Sequence, residues 1–170
     1  MRRIPLITPL LLLTVMLLPA QARIGETLEQ CKGRYGPVIE RRAPLMTQSD
    51  PEACVFSKDG ISIIIEFRAG IAWNIKYRTL DLVPTQVNTL LKANMPEGGT
   101  WSAAYIVAEV QYRLSGDRRR TASYYPGQAG EMGILEISSR EFNAARWEER
   151  SKHFGDVIKA AAEKKKLDGF

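Results

Sequence analysis

Asp59-Gly60-Ile61-Ser62-Ile63-Ile64-Ile65-Glu66-Phe67-Arg68-Ala69-Gly70-Ile71-Ala72-Trp73-Asn74-Ile75-Lys76-Tyr77-Arg78 is the stretch whose reading decides the fold. Ile61, Ile63, Ile65 and Phe67 alternate with Ser62, Ile64, Glu66 and Arg68, and after Ala69-Gly70 the odd-numbered Ile71, Trp73, Ile75 and Tyr77 do the same. A period of two on both sides of a turn predicts a hairpin with one apolar face. Both strands place their apolar residues at odd numbers, so opposed residues must have an even sum. Phe67 opposite Ile71 meets that condition with the loop Arg68-Ala69-Gly70, closed by a glycine suited to the left-handed region. A two-residue turn at Ala69-Gly70 would put the two apolar sets on opposite faces. Upstream, Asp59-Gly60 is itself a two-residue hairpin signal. It pairs Lys58 with Ile61, Phe56 with Ile63 and Cys54 with Ile65, placing Cys54 on the apolar face.

Working outward, Thr27-Leu28-Glu29-Gln30 has the spacing of a capping box, and Leu28, Cys31 and Tyr35 share one face of the helix that it opens. Gly36-Pro37 ends that helix, and residues 38–52 read as a loop. On the other side, Pro84 stands in the first turn of a second helix, where its missing N–H costs little. Val87, Leu90 and Leu91 form the buried stripe, and Asn94 and Pro96 end it. Residues 104–114 alternate as one strand, Ser115-Gly116-Asp117 is a turn, 119–125 a second strand, Pro126 to Gly130 a loop and 132–138 a third strand. Ser138-Ser139-Arg140-Glu141 reads as another capping box, with Ser138 as the cap. The helix that it opens passes Phe142, Ala145 and Trp147 and is expected to break at Gly155, with Glu163 to Lys166 fraying. The class is therefore α+β: two consecutive helix-plus-three-antiparallel-strand units, about 23–80 and 81–138, followed by a C-terminal helix. Residues 23–150 form a single domain and 151–170 a helical or frayed tail.

Met1-Arg2-Arg3, the apolar run Ile4 to Leu18 and Ala20-Gln21-Ala22 have the three parts of a secretory signal peptide, with cleavage expected after Ala22. Two prolines and a run shorter than the ~20 residues of a spanning helix argue against an anchor. The expected address is the periplasm or the medium. Without Arg2 and Arg3 the 24 basic residues become 22 against 19 acidic ones, a net charge near +3. Such a surface does not have the concentrated basic face of a nucleic-acid binder. In an oxidising compartment Cys31 and Cys54 are expected to form one disulfide. Strand parity makes them plausible neighbours, and two buried free thiols are the alternative.

The Gly25-x-Thr27-x-x-Gln30 helix, the Gly36-Pro37 stop and the hydrophobic meander after them resemble the small exported modules of the outer-membrane assembly lipoproteins, the SmpA/OmlA family. The tandem order resembles the β-lactamase inhibitor protein fold. Asp59-Gly60-Ile61 with Glu66-Phe67, then Leu90-Leu91-x-x-Asn94 and Gly98-Gly99-x-Trp101, is similar to short secreted bacterial proteins of uncharacterised role. The chain departs from the first family in having no lipidation cysteine and in having a second half. The resemblance implies a binding or scaffold role by analogy of fold and brings no catalytic residue with it.

The residues themselves offer little for catalysis or for a cofactor. His153, the sole histidine, has no Cys or second His at metal-ligand spacing and reads as a solvated or helix-terminal side chain. Glu66 and Glu109 could act as an acid–base pair, yet both lie on polar strand faces beside basic neighbours. No Gly-x-Ser-x-Gly elbow occurs, and the glycines at 98–99 and 127–130 lack the strand–loop–helix setting of a phosphate cradle. Arg118, Arg119 and Arg120 beside Tyr124 and Tyr125 form the candidate binding site, able to grip a carboxylate or an anionic polymer or to blunt a hairpin end. Trp73 and Trp101 read as sheet residues. The apolar stripe between Arg146 and Lys166 reads as packed or solvated rather than as a membrane-surface helix. The function expected is non-enzymatic protein binding after export, with anionic envelope polymer as the alternative ligand.

Overall fold

A computed structural model describes residues 23–43, 52–96, 98–128 and 130–167, with the helical backbone alone at 160–167. Residues 1–22, on which the expected signal peptide falls, 44–51, 97, 129 and 168–170 lie outside this range. The elements are α1 (Leu28–Tyr35), β1 (Glu40–Arg42), β2 (Glu52–Lys58), β3 (Ile61–Arg68), β4 (Ile71–Thr79), α2 (Pro84–Ala93), β5 (Tyr105–Val107), β6 (Val110–Leu114), β7 (Arg120–Tyr125), β8 (Gly133–Ser139) and α3 (Arg140–Leu167). The strands form one eight-stranded sheet in the order β1-β2-β3-β4-β8-β7-β6-β5, antiparallel throughout.

The protein is α+β, and its division differs from two three-stranded units. The segment read as a loop contains β1, whose three residues are all charged and so show no apolar alternation, and which pairs with β2 along the backbone and through Arg41 with Glu52. The segment read as one strand over 104–114 is a hairpin turning at Ala108-Glu109, with φ of 46° and 70°. Two positive φ values are what a tight hairpin turn requires. Neither residue is the Gly or Asn that usually marks one, and the apolar alternation runs straight through. Each half thus supplies four strands, and β4 pairs with β8 from Asn74 opposite Ser138 to Thr79 opposite Gly133, which merges them.

The central hairpin meets the parity condition by a different device. Its turn is the two-residue Ala69-Gly70, with φ of 50° and 80°, pairing Arg68 with Ile71 and Phe67 with Ala72. A bulge between Glu66 and Phe67 then absorbs Trp73, and beyond it Ile65 faces Ile75 and Ile63 faces Tyr77 as the alternation demands. One extra residue on one strand restores the face that an odd-sum turn would reverse. As a result Ala72, not Trp73, sits in the core. The Trp73 ring instead meets the Arg68 guanidinium at 5.5 Å.

α1 begins as read: the Thr27 hydroxyl accepts from Gln30 N–H while the Gln30 side-chain oxygen Oε1 accepts from Thr27 N–H at 2.8 Å. α1 and α2 cover one face of the sheet, burying Cys31, Tyr35, Val87, Leu90 and Leu91 against Phe56, Ile65, Ile75, Tyr77, Leu135 and Ile137. Cys31 and Cys54 share this cluster, yet both are free, buried thiols, so the expected bridge is not made. They pack as small apolar groups.

α3 starts one residue later than its capping motif suggests. Ser139 is the cap, accepting from Phe142 N–H at 3.0 Å, because Ser138 is still in β8 and donates to Asn74 at 2.8 Å. The helix also passes through Gly155 without a break. A single glycine inside a helix costs only about 1 kcal/mol relative to alanine.

Candidate functional site

The second face of the sheet carries the residues that alternate with the core. In β3, β4 and β8 these include Glu66, Asn74, Lys76, Glu136 and Ser138, the polar half of each period of two. α3 lies over them. Its buried anchor is Phe142, and around it Asn143 donates to Thr121 at 2.8 Å, Arg146 lies 3.8 Å from Glu136, and Glu149 lies 3.8 Å from Arg68.

At the centre is Asn74, 0 % exposed. Its amide nitrogen donates to Glu66 Oε2 and to Glu136 Oε1, each at 2.8 Å, and its carbonyl oxygen accepts from Ser138 Oγ. One side chain of β4 therefore spends both donors and an acceptor on partners from the two strands that flank it, β3 and β8. Lys76 Nζ stands 3.6 Å from Glu66 and 3.5 Å from Glu136, so two carboxylates share one ammonium.

Beside this network a cleft of about 470 Å³ opens between α3 and the strands β6 to β8. Tyr105 and Tyr112 stack along it with centroids 5.3 Å apart. Arg146, Trp147 and Arg150 of α3 and Arg113 of β6 also line it, against the single carboxylate Glu136. Trp147 is 75 % exposed, and the outer strand β5 is exposed at all three residues, Ile106 reaching 67 %. Such a cleft can hold a ligand that combines apolar contact with negative charge.

The residues singled out from the sequence do not gather there. Arg118 and Arg119 are exposed on the β6–β7 connection, Arg118 with φ of 58°. Arg120 turns inward and donates to the Asn94 carbonyl at the end of α2, where burial holds its pKa below the usual guanidinium range. Tyr124 lies on the core face, its hydroxyl donating to the Leu82 carbonyl at 2.6 Å, and burial raises its pKa. Tyr125 points to the other face and donates to Glu131 at 3.0 Å, a bond that holds its proton and raises its pKa. Alternation along β7 separates the two tyrosines, so the five residues do not make one patch.

Glu66 finds a second carboxylate, but it is Glu136, while Glu109 is in the β5–β6 turn. Glu136, Asn74 and Arg146 have an ordinary solvated-face signature in sequence. Asn74 alone carries a clue, as a neutral amide among charged neighbours on its strand face. His153 is exposed on α3. Trp101 is half-buried, donating to the Leu91 carbonyl at 2.8 Å. Among the described residues no group of three His, Cys, Asp or Glu is placed to hold a metal ion, and no helix is long and apolar enough to cross a membrane. Compared with family models, curated proteins and solved structures, the chain matches none.

Proposed function

We propose that this chain is an exported, non-enzymatic module that binds another protein along the β5 edge of its sheet. The contrast between the two edges carries this reading. β1 is Glu40-Arg41-Arg42, with Arg42 paired to Glu40 at 2.9 Å and Arg41 paired to Glu52. Charge of this kind blunts an edge against further pairing. β5 is Tyr105-Ile106-Val107, uncharged and exposed, and it ends the strand order. An edge of this kind is a template for an added strand, in which main-chain hydrogen bonds supply affinity and neighbouring pockets supply specificity. Trp147 of α3, 75 % exposed in the adjoining cleft, adds apolar area beside this edge.

The partner that fits is an extended protein segment bearing acidic side chains. Its backbone pairs with β5, and its carboxylates meet Arg113, Arg146 and Arg150, which outnumber Glu136 in the adjoining cleft. The signal-like start, Met1 to Ala22, supports export. A photo-crosslinking residue at Val107, used in an envelope fraction, tests the reading. A discrete adduct that disappears in Ile106→Lys is the expected result. The same adduct from a probe at Arg41 on the opposite edge, or one indifferent to Ile106→Lys, overturns it.

A further inference from the structure

On the face away from the cleft, α1 and α2 leave a cavity of about 280 Å³ above β3 and β4. Its interior is Tyr35, Ile63, Tyr77 and Leu90, all buried. Its polar groups come from Lys58 at the end of β2, Asp59 in the β2–β3 turn and the flank of α2, and Tyr35 and Tyr77 add hydroxyls 3.5 Å apart, that of Tyr77 also accepting from Asn94. Lys58 donates one N–H to the Arg34 carbonyl in the last turn of α1 at 2.8 Å. That bond fixes the ammonium in place and leaves it two further donors.

We propose that this cavity binds an amphiphile with a medium-length acyl chain and a single carboxylate. A cavity of about 150 Å³ holds one benzene. This one is nearly twice that size and takes roughly eight to ten methylenes at the packing density of a protein interior. Lys58 supplies the charge complementary to the head group. Asp59, beside it, repels a doubly charged head such as a phosphate monoester more strongly than a singly charged carboxylate, which favours the carboxylate between the two. The bound chain lies on Ile63 and Leu90 with its head at the turn, and no covalent step is involved.

A chain-length series followed by NMR tests the site on the purified protein: hexanoate, octanoate, decanoate and dodecanoate, each below its micelle threshold. Affinity is expected to rise about fourfold per added methylene up to decanoate and then level off, with the methyl groups of Ile61, Ile63 and Leu90 shifting. Lys58→Met weakens octanoate about threefold to fivefold and leaves octanol unchanged. Thr89→Trp, at an exposed α2 position lining the cavity, blocks it without changing the fold as read by circular dichroism. Equal affinity along the series, octyltrimethylammonium binding as tightly as the nearest carboxylate, or binding retained by a folded Thr89→Trp protein each overturns the proposal. Phosphatidylglycerol vesicles test the head group: displacement of bound decanoate beyond the loss of free decanoate into the bilayer overturns the carboxylate assignment, and retention sustains it. Binding that persists in Ile106→Lys separates this site from the β5 edge.

Discussion

Asn74 organises the second face of the sheet, and its replacement is the sharpest test of that face. Asn74→Ala strips partners from Glu66, Glu136 and Ser138 at a fully buried position. Unsatisfied buried groups cost about 1–3 kcal/mol each, and relaxation toward solvent at the glutamates brings the expected loss to about 3 kcal/mol, read from the denaturant midpoint. A loss near zero would mean that the network contributes nothing to the fold. On the core face, burial first, with the Glu26 carboxylate after it, pushes the Cys31 thiol from 9.0 to about 12. The folded chain thus holds this proton more tightly than the unfolded chain does. The stability linked to it is intact below about pH 9 and is lost as pH rises toward 12. Tyr77, raised by burial from 10.0 to about 12, adds to the loss from pH 10 upward. The urea midpoint should fall across this window, and Cys31→Ala should flatten the fall between pH 9 and 10. Parallel profiles for the two proteins would refute the assignment.

At the scale of elements, α3 is held to the sheet by one buried ring and a few polar contacts, and most of its distal half is exposed. The helix runs through Gly155 between Phe154 and Asp156. A Cβ at Gly155 meets nothing within 4 Å. Gly155→Ala should therefore add about 1 kcal/mol to the local stability of the helix, visible as slower amide exchange from 152 to 159 with the sheet unchanged. Unaltered exchange would show that tertiary contacts, not propensity, set the helix. The elements most legible in sequence were those with a cap or a strict alternation: α1, the β2–β3 hairpin and the buried stripe of α2. β1 was not legible because three charged residues form no period. The β5–β6 turn was hidden because an alternating pattern reads the same through a turn of two residues. The bulge at Trp73 was reachable only as a parity constraint that a longer loop satisfies equally well.

For the whole molecule, cleavage after Ala22 would make Arg23 the first residue. The Arg23 nitrogen donates to Glu26 at 3.2 Å, and Glu26 also holds Arg34. A new α-ammonium there adds a charge-assisted contact. A chain beginning at Arg23 should unfold at a higher temperature than one extended toward its N-terminus, by about 0.5–1 kcal/mol. Glu26→Gln should erase the difference, and an equal gap in that variant would exclude the contact as its source. The α+β class, the apolar face of the central strands and the burial of both cysteines follow from local periodicity, which one strand or helix displays by itself. The joining of β4 to β8, the bare β5 edge and the meeting of Glu66 with Glu136 on Asn74 were decided by tertiary structure alone. The first and the third depend on β4 and β8 becoming neighbours across more than fifty residues of chain, and the second on which strand is left at the end of the sheet. Local alternation reports which face a residue takes; it carries no information about what will stand opposite it.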